Sequence, residues 1–461
     1  MVSQHRKENV SVSKGSGVSR GDRRRNARLA ELRLLVCREN AIVGIDLAED
    51  NQAVVVTDHD SKVLARRSPR CKAWQLGEVL DWAVGKAKAR GFESVTVACE
   101  PTGSRWMHVQ QACAERGLNF VCVQTLVTHN ARVAEDYTRD KSDQKDAVLI
   151  ARLTAELRCY RPEVIEEEWA VLRYLGQRRD ALVTEALRCR QQITDRLALA
   201  WPAALGAAAA PLDSVTFLAC LQVTADRCDG DPGKLRRYGL AEFTQLVRGV
   251  LPRWGGQRIC HRIVACFHAA LGDSRGAVPA RRRGALKLAG HALADLRRAR
   301  ELQLRAEAEM IAQLDVLGIT DVLASIEGLS LPVAACILAE IGDPARFGSS
   351  RALVKHAGVA PCDNSSGNSA GQARISRRGR PVLRKTAWRG TWAMIHGANP
   401  VLAAKYDHLT SRDTGKLAKG QAHIACVATL LRWIYSVITT RTAWDRRVAG
   451  GTISHTAALA A

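Results

Sequence analysis

The chain has 461 residues, of which 47% are hydrophobic, so it is long enough for two or three domains with buried cores. Lys and Arg number 68 against 46 Asp and Glu, which gives a formal net charge of +22 at pH 7. This charge indicates a polyanionic partner, nucleic acid first and an anionic membrane surface second. High solubility is the plainer explanation of the same charge.

The 14 cysteines form no CxxC pair and no zinc-finger spacing. They stand singly in apolar runs such as TVACEP and FVCVQ, which is typical of reduced, buried thiols in a cytosolic protein, and a structural zinc site is not expected. No apolar run approaches the roughly 20 residues that a membrane span needs, and no signal-peptide core precedes the first domain. We therefore expect a cytoplasmic protein with no membrane partner.

Residues 1–38 are rich in Ser, Gly and Arg, which predicts a basic disordered tail that ends in a short helix. Three strand patterns follow from residue 41: AIVGIDLA, QAVVVTD and KVLARRS. Two more, SVTVACE and NFVCVQT, each come after a helical pattern. This order predicts a mixed sheet with helices packed on it, over residues 39–160, closed by a helix that begins near Ser142.

Apolar residues at three- and four-residue spacing predict long helices at 163–200 and 285–314, paired as a coiled-coil-like arm. Glycine and proline clusters interrupt the helical sequence between them, so we predict an arm with an insertion over 161–317. A mainly helical C-terminal domain over 318–442 and a tail over 443–461 complete the chain. Its segment ASIEGLSLPVAACILAEIGD predicts helix, turn and helix, with the turn as a phosphate contact or as ordinary helix packing.

Four carboxylates stand at positions that need an explanation. Asp46 ends the first apolar strand and Glu100 ends the fourth, where a carboxylate is costly unless it is hydrogen-bonded, solvated or bound to metal. Asp143 and Asp146 lie three residues apart, on one face at a helix start. Because ligands sit at strand ends, we expect these carboxylates to converge on two Mg²⁺ ions, with Mn²⁺ as the alternative. Taken alone, Asp143 and Asp46 are also explained as helix-start and turn residues, and Ser142 as a helix cap.

The segments GID, CEPTG and KSDQKDA, in this order, resemble the N-terminal domain of the IS110-family transposases, also called DEDD transposases. The resemblance implies a RuvC-like, ribonuclease-H-like fold. The acidic site residues that it implies are Asp46, Glu100, Asp143 and Asp146. It also implies that Lys141 and Lys145 belong to the third motif.

The segment from SIEGLSLP to LRKTAW resembles the C-terminal transposase domain of the same family. The resemblance implies that a serine in NSSGNSAG attacks the phosphodiester; the matching position is Ser366, and Ser365 is the second candidate. Serine attack conserves bond energy in a phosphoserine, so the strands are rejoined without ATP. A polar turn is the plainer explanation of the two serines.

The segment between Asp363 and Asp407 has no acidic residue and eight basic ones. This uniformly basic stretch favours a surface that binds a nucleic-acid backbone. A solvent-exposed face without a ligand is the plainer explanation. The residues that we expect to contact nucleic acid are Lys141, Lys145, Arg374, Arg377, Arg378, Arg380, Arg384 and Lys385.

Together, motifs and charge predict a bacterial, nucleoid-associated transposase that recombines the ends of an insertion element with target DNA. The resemblance also implies a guide RNA encoded by the element, and a homo-oligomer (dimer or tetramer) whose half-sites meet between subunits. Two other classes remain open: a metal-only RuvC-like Holliday-junction nuclease, and an inactive nucleic-acid-binding relative. A sugar-kinase-like ATPase also begins with a GID strand, but no later glycine-rich nucleotide motif supports it.

Overall fold

The computed structural model describes residues 18–70, 72–135, 142–362, 365–366, 369–370 and 374–450. The chain divides into two compact units, with the boundary between Val164 and Ile165. The finer division of the second part into arm and C-terminal domain stays a prediction.

The first unit combines a sheet with helices. Its strands are β1 (Asn40–Asp46), β2 (Ala53–Thr57), β3 (Val63–Arg67), β4 (Ser94–Cys99) and β5 (Asn119–Cys122). Its helices are α1 (Arg20–Leu35), α2 (Leu76–Lys88), α3 (Arg105–Glu115), α4 (Thr125–Glu135) and α5 (Asp143–Ala155), with a 3₁₀ turn at Ala73–Gln75.

The five-stranded sheet has the order β3-β2-β1-β4-β5. The first three strands pair antiparallel, whereas β4 runs parallel to β1 and β5 parallel to β4. Side chains alternate between the faces of a strand, so Val43 of β1 packs in the core formed with α2 and α3, and Ile42 packs with α1, α4 and α5. The mixed sheet with helices packed on it confirms the predicted fold class for this part of the chain.

The predicted disordered tail is ordered in its C-terminal half. Helix α1 begins after Ser19, whose hydroxyl accepts a hydrogen bond from the Asp22 backbone N–H at 3.1 Å, in a capping box. At the other end, Leu32 and Val36 are buried in the core with α5. Apolar burial of these two residues anchors the helix, which is present as the sequence predicts and is 16 residues long. Residues 1–17 lie outside the described residues.

The second unit is mainly helical. Its helices are α6 (Glu167–Ala200), α7 (Pro202–Leu205), α8 (Val215–Arg227), α9 (Leu240–Val250), α10 (His261–Ala270), α11 (Pro279–Val316), α12 (Thr320–Ala324), α13 (Leu331–Ile341), α14 (Ser350–His356), α15 (Pro381–Ala393), α16 (Pro400–Ser411) and α17 (Lys419–Thr440). Its short strands are β6 (Pro361–Cys362), β7 (Ser365–Ser366), β8 (Ser369–Ala370) and β9 (Arg374–Ile375). Single 3₁₀ turns lie at Pro211–Asp213, Pro232–Arg237, Leu251–Trp254 and Pro344–Arg346, and a π-helical turn at Met394–Ala398.

The long helices α6 and α11 pack against each other, as the sequence predicts. The Arg179 Nε donates to Glu307 Oε1 at 2.9 Å, and Gln313 Nε2 donates to the Glu168 carbonyl at 3.1 Å. Arg179 comes later in α6 than Glu168, whereas its partner Glu307 comes earlier in α11 than Gln313. The two helices are therefore antiparallel. One end of the pair joins a core with the aromatic rings of the 201–271 segment, and the other joins a core with α13, α15 and α17.

One helix meets the length and composition of a membrane span, contrary to the expectation that no apolar run approaches that length. Helix α17 has 22 residues with a mean hydropathy of 1.4. More than half of its apolar window (56%) is buried in the second unit, among side chains such as Leu430 and Ile434. The apolar character of α17 is therefore explained by its place in a protein core.

Candidate functional site

Two of the predicted acidic residues lie at the same edge of the sheet, where their strands end. Asp46 is the last residue of β1, and Glu100 directly follows β4. The two strands are parallel, with Ile45 opposite Cys99, so Asp46 and Glu100 occupy neighbouring positions where their strands end. Both residues are half-buried, in contrast to the fully buried strand residues before them. The ends of β1 and β4 therefore bring these two residues to one edge of the sheet.

Helix α5 carries the other two acidic residues. Its cap is Ser142, whose hydroxyl accepts from the Lys145 backbone N–H at 3.3 Å, as the sequence indicates. Asp143, the first residue of the helix, is exposed, and Asp146, one position after Lys145, is buried with 4% of its surface exposed. A first-turn carboxylate is favoured by the N–H groups at a helix start. Lys145 itself is exposed, whereas Lys141 lies outside the described residues.

A backbone contact at Gly44 sets the distance between α5 and β1. A Cβ atom at this position would lie 2.1 Å from the Ala147 carbonyl oxygen, well inside van der Waals contact. Ala147 also packs against Ala53 and Val55 of β2. Because Gly44 precedes Asp46 by two residues and Ala147 follows Asp146, this contact holds the start of α5 beside the end of β1. The glycine of the GID motif thus has a packing function that the sequence interpretation missed.

Asp146 forms an ion pair that the sequence did not predict. The Arg132 Nε donates to Asp146 Oδ1 at 2.8 Å, with 6% of the aspartate side chain and 27% of the arginine side chain exposed. A carboxylate this buried needs a charged partner or hydrogen bonds. Arg132 lies on α4, a helix that no pattern predicted, so the only available signal was an arginine upstream of the third motif.

The donor set has the chemistry of a Mg²⁺ or Mn²⁺ site, since hard divalent cations prefer carboxylate oxygens. Among the residues that the structure describes, however, no three Asp, Glu, His or Cys side chains gather closely enough to hold a metal ion. Asp146, one of the four predicted ligands, forms an ion pair with Arg132. The shared sheet edge thus fits the predicted metal site in donor type, while convergence of all four carboxylates on a metal stays a prediction.

The serine segment of the second unit is built from short strand pairs. Strand β6 pairs antiparallel with β9, with Cys362 opposite Arg374. Between them, Ser365–Ser366 pair with Ser369–Ala370, with Ser366 opposite Ser369. The backbone of both candidate nucleophiles thus belongs to one short strand, and the choice of Ser366 over Ser365 stays a prediction. Residues 363–364, 367–368 and 371–373 lie outside the described residues.

The basic residues after this segment fall into two groups. Arg374, Arg377 and Arg378 are exposed and have no ion-pair partner within the described part of the chain. The other three have protein partners. These contacts are Arg380 to Glu340 at 3.3 Å, Arg384 to the Gly379 carbonyl at 3.0 Å, and Lys385 to Asp180 at 2.6 Å. The charged residues between Asp363 and Asp407 are all basic, but two of these charges are balanced by carboxylates from α6 and α13.

Two family models match the chain. One, named for the DEDD transposases of IS110 and described as a transposase, matches residues 43–202. The other, the transposase IS116/IS110/IS902 family, matches residues 320–407. The chain belongs to the IS110 family of transposases.

A relative from Streptomyces coelicolor agrees with this assignment. The insertion element IS110 uncharacterized 43.6 kDa protein is 29% identical over 315 residues, which cover 67% of this chain and 72% of the relative. This IS110-family chain is accordingly a DNA transposase. Its four acidic residues lie inside the first matched range and both candidate serines inside the second, whereas residues 203–319 lie between the two ranges.

Proposed function

We propose that this transposase cuts and rejoins DNA with carboxylates at the edge of a RuvC-like sheet and a serine nucleophile in the second unit. The observation that carries the proposal is the shared edge: Asp46 and Glu100 end neighbouring parallel strands, and the Gly44 contact holds α5 beside them. Ligands and reacting groups are commonly bound where parallel strands end.

In the proposed reaction, Ser366 Oγ forms a bond to the phosphorus of the scissile phosphodiester. The bond from phosphorus to the 3′ oxygen breaks, so a 5′-phosphoserine and a free 3′ hydroxyl result. The proton lost by the serine is balanced by the proton that the 3′ oxygen gains. Attack by the 3′ hydroxyl of another strand reverses these steps and releases the serine, so that bond energy is conserved.

The carboxylates bind the cation on which this chemistry depends. Asp46, Glu100, Asp143 and Asp146 would hold Mg²⁺ or Mn²⁺, which supplies positive charge against the developing charge of the phosphodiester. The exposed Arg374, Arg377 and Arg378 bind the DNA backbone, while Arg380, Arg384 and Lys385 also keep their protein contacts.

The serine step is tested by comparing Ser366→Ala with its neighbour Ser365→Ala on a labelled duplex that carries an element end. We expect Ser366→Ala to lose cleavage and the covalent protein–DNA adduct on denaturing gels, and Ser365→Ala to keep both. The reverse pattern would assign the nucleophile to Ser365. Cleavage without an adduct in both variants would instead support the metal-only nuclease.

We further propose that an RNA encoded by the element guides the choice of DNA, because base pairing then supplies sequence selection that a basic surface lacks. The net charge of +22 supports binding of a second polyanion. Sequencing of the RNA that co-purifies from cells carrying the whole element tests this. We expect one non-coding RNA from the element flanks, and a random sample of cellular RNA would contradict the proposal.

The acting species is proposed to be a cytoplasmic, nucleoid-associated homo-oligomer in which the carboxylates of one protomer act with the serine of another. Mixing Asp46→Asn and Ser366→Ala proteins tests this assembly. A mixed oligomer contains one intact combination of the two half-sites, so adduct formation should return on mixing. If every mixture stays inactive while the wild type cuts, the half-sites act within one protomer.

A further inference from the structure

A large open cavity lies beside the serine segment of the second unit. It has a volume of about 820 Å³, and its walls are largely aliphatic, with contributions from Val354, Val359, Ile424 and Ala428. Aliphatic walls of this size suit a flat, weakly polar group, since small-ligand pockets commonly span roughly 300–1,000 Å³.

The charged residues that line the cavity are all cations: Arg374, Arg377, Lys405 and Arg432. Among the residues that the structure describes, no Asp or Glu lines the cavity. Lys405 is half-buried and donates to the neutral Thr429 hydroxyl at 2.6 Å; within the described residues it has no carboxylate partner. Burial lowers the pKa of Lys405 and of Arg432, the neighbouring Arg351 adding to the effect on Arg432. Four cationic side chains beside an apolar wall suit a ligand that combines an anionic group with an apolar group.

The cavity wall includes both ends of the serine segment. Pro361 of β6, and Arg374 and Ile375 of β9, line the cavity, and Pro361 pairs with Ile375 across the two strands. The chain between them contains the two candidate nucleophiles. A DNA strand whose phosphodiester reaches this segment therefore passes the mouth of the cavity.

We propose that the cavity binds an unstacked nucleotide of the DNA strand next to the phosphodiester that the serine attacks. The aliphatic wall contacts the base and the cations bind the flanking phosphates, which is the combination that holds single strands. A cavity of about 820 Å³ has the size of a pocket for a small ligand, so it accommodates a single nucleotide and excludes a duplex. The identity of the strand rests on the proposed function; the binding of a single-stranded nucleotide does not.

A guide RNA offers the same chemistry of base and phosphate. The position of the cavity favours DNA, because the strand that lies against β6 and β9 is the strand within reach of the serine segment. RNA binding is therefore kept as one outcome of the test.

Gly420 allows the cavity to be blocked with little risk to folding. It lines the cavity on α17, and a Cβ atom built on it meets nothing within 4 Å. A side chain is also more favourable than glycine inside a helix. Gly249 on α9 is a matched control, since it is also an exposed helical glycine with open space around it and does not line the cavity.

The experiment measures binding of the full chain to labelled oligothymidylate and oligouridylate of about 12 nucleotides, and to a DNA duplex of similar length, by fluorescence anisotropy. We expect Gly420→Phe to weaken oligothymidylate binding about tenfold or more, which corresponds to one lost base contact. Binding of the duplex should change less than about twofold. Gly249→Phe should leave all three affinities unchanged.

A charge variant tests the same cavity independently. Arg432→Gln should reduce the slope of log affinity against log salt by about 0.7 for the single strand. The exposed Arg248→Gln on α9, remote from the cavity, should leave that slope unchanged.

Three results would overturn the proposal: equal loss on single strand and duplex, no loss on either, or a loss confined to oligouridylate. Because binding is measured without cutting, a chain that binds as expected but never forms an adduct would contradict the serine mechanism and leave the cavity assignment standing.

Discussion

The two units place their candidate functional residues in opposite ways. In the first unit, negative side chains stand at the ends of buried strands and on a helix that touches β1 through Gly44. In the second unit, cations surround an open cavity, and the serines belong to a two-residue strand. Carboxylates that share a metal need fixed positions, which packed strands and helices supply, whereas cations that bind a nucleic-acid backbone need access to solvent.

The partners of the charged groups differ as well. Asp146 is buried and paired with Arg132, so its charge is held inside the first unit. Arg374 and Arg377 face solvent around the cavity, where an incoming phosphate can reach them. Under the proposed function, the first unit binds the metal and the second holds the DNA strand, and variants in each unit separate these two functions.

The largest expected effect is on the chemistry of the first unit. Asp46→Asn removes a negative charge at the sheet edge, and we expect cleavage of element-end DNA to fall about 10³-fold, or about 4 kcal/mol in activation free energy. Gel cleavage assays with Mg²⁺ measure the rate, and filter binding should show unchanged affinity for the duplex.

Asp60→Asn is the matched control for this charge change. Asp60 is exposed in the turn between β2 and β3, at the opposite edge of the sheet from Asp46, so its variant should cut at the wild-type rate. Wild-type cleavage by Asp46→Asn would contradict the assignment of the sheet edge.

The next effect concerns the contact between β1 and α5. Gly44→Ala places a Cβ atom against the Ala147 carbonyl, so β1 and α5 must separate, at a cost of about 1–3 kcal/mol. Hydrogen exchange measured by mass spectrometry should show faster exchange in β1 and α5 and unchanged exchange in the second unit.

Gly85→Ala is the control for this glycine change. Gly85 lies in α2, and a Cβ atom there meets nothing within 4 Å, so the free energy of unfolding should rise by about 0.5–1 kcal/mol. Similar destabilisation by both substitutions would show that the Gly44 contact is not specific.

The ion pair between Arg132 and Asp146 should contribute to stability by an amount similar to the Gly44 contact. A double-mutant cycle with Arg132→Gln and Asp146→Asn is expected to give a coupling of about 1–3 kcal/mol, because each single variant leaves a buried partner unpaired. Exchange protection of α5 supplies the free energies. The exposed pair of Arg188 and Glu185 in the second unit, joined at 2.6 Å, should give a much smaller coupling, because water screens exposed charges. Equal couplings would contradict the difference between the units.

The smallest effect is a pH dependence of the second unit. His423 is buried, donates or accepts at the Thr391 hydroxyl at 2.8 Å, and stacks on Trp388. Burial lowers the pKa of His423 below its usual value. The unfolded chain therefore takes up the proton first, so stability falls as pH drops below about 6.5. Thermal unfolding measured between pH of about 7.5 and about 5.5 should show this loss of stability. The loss should be smaller in His423→Gln and the same as in the wild type in the exposed variant His408→Gln.

The strand and helix patterns predicted much of the secondary structure and missed particular elements. All five strands of the sheet are predicted from short apolar runs bounded by turn or polar residues, of which AVVVT and SVTVAC are the clearest. Helix α4 was missed because its sequence TLVTHNARVAE has no clear start signal and contains β-branched residues. Arg132 was therefore not predicted as a partner of Asp146. An ion pair between two helices has no characteristic spacing in the sequence.

The predicted basic surface shows the same limit. A run of cations in the sequence cannot show which of them meet carboxylates from distant segments. Lys385 pairs with Asp180, more than two hundred residues earlier in the chain, and Arg380 with Glu340. Lys405 and Arg432 come together at the cavity only through the packing of α16 and α17.

The sequence by itself determined most of the elements, the acidic and serine motifs, and the membership of the IS110 family, because these depend on local periodicity and on the order of short motifs. Only the tertiary structure decided which groups become neighbours. It brought the ends of β1 and β4 together, held α5 against Gly44, paired Arg132 with Asp146, and enclosed the cationic cavity. Such contacts join residues that are distant along the chain, and their energies come from burial and close approach, which no local pattern records.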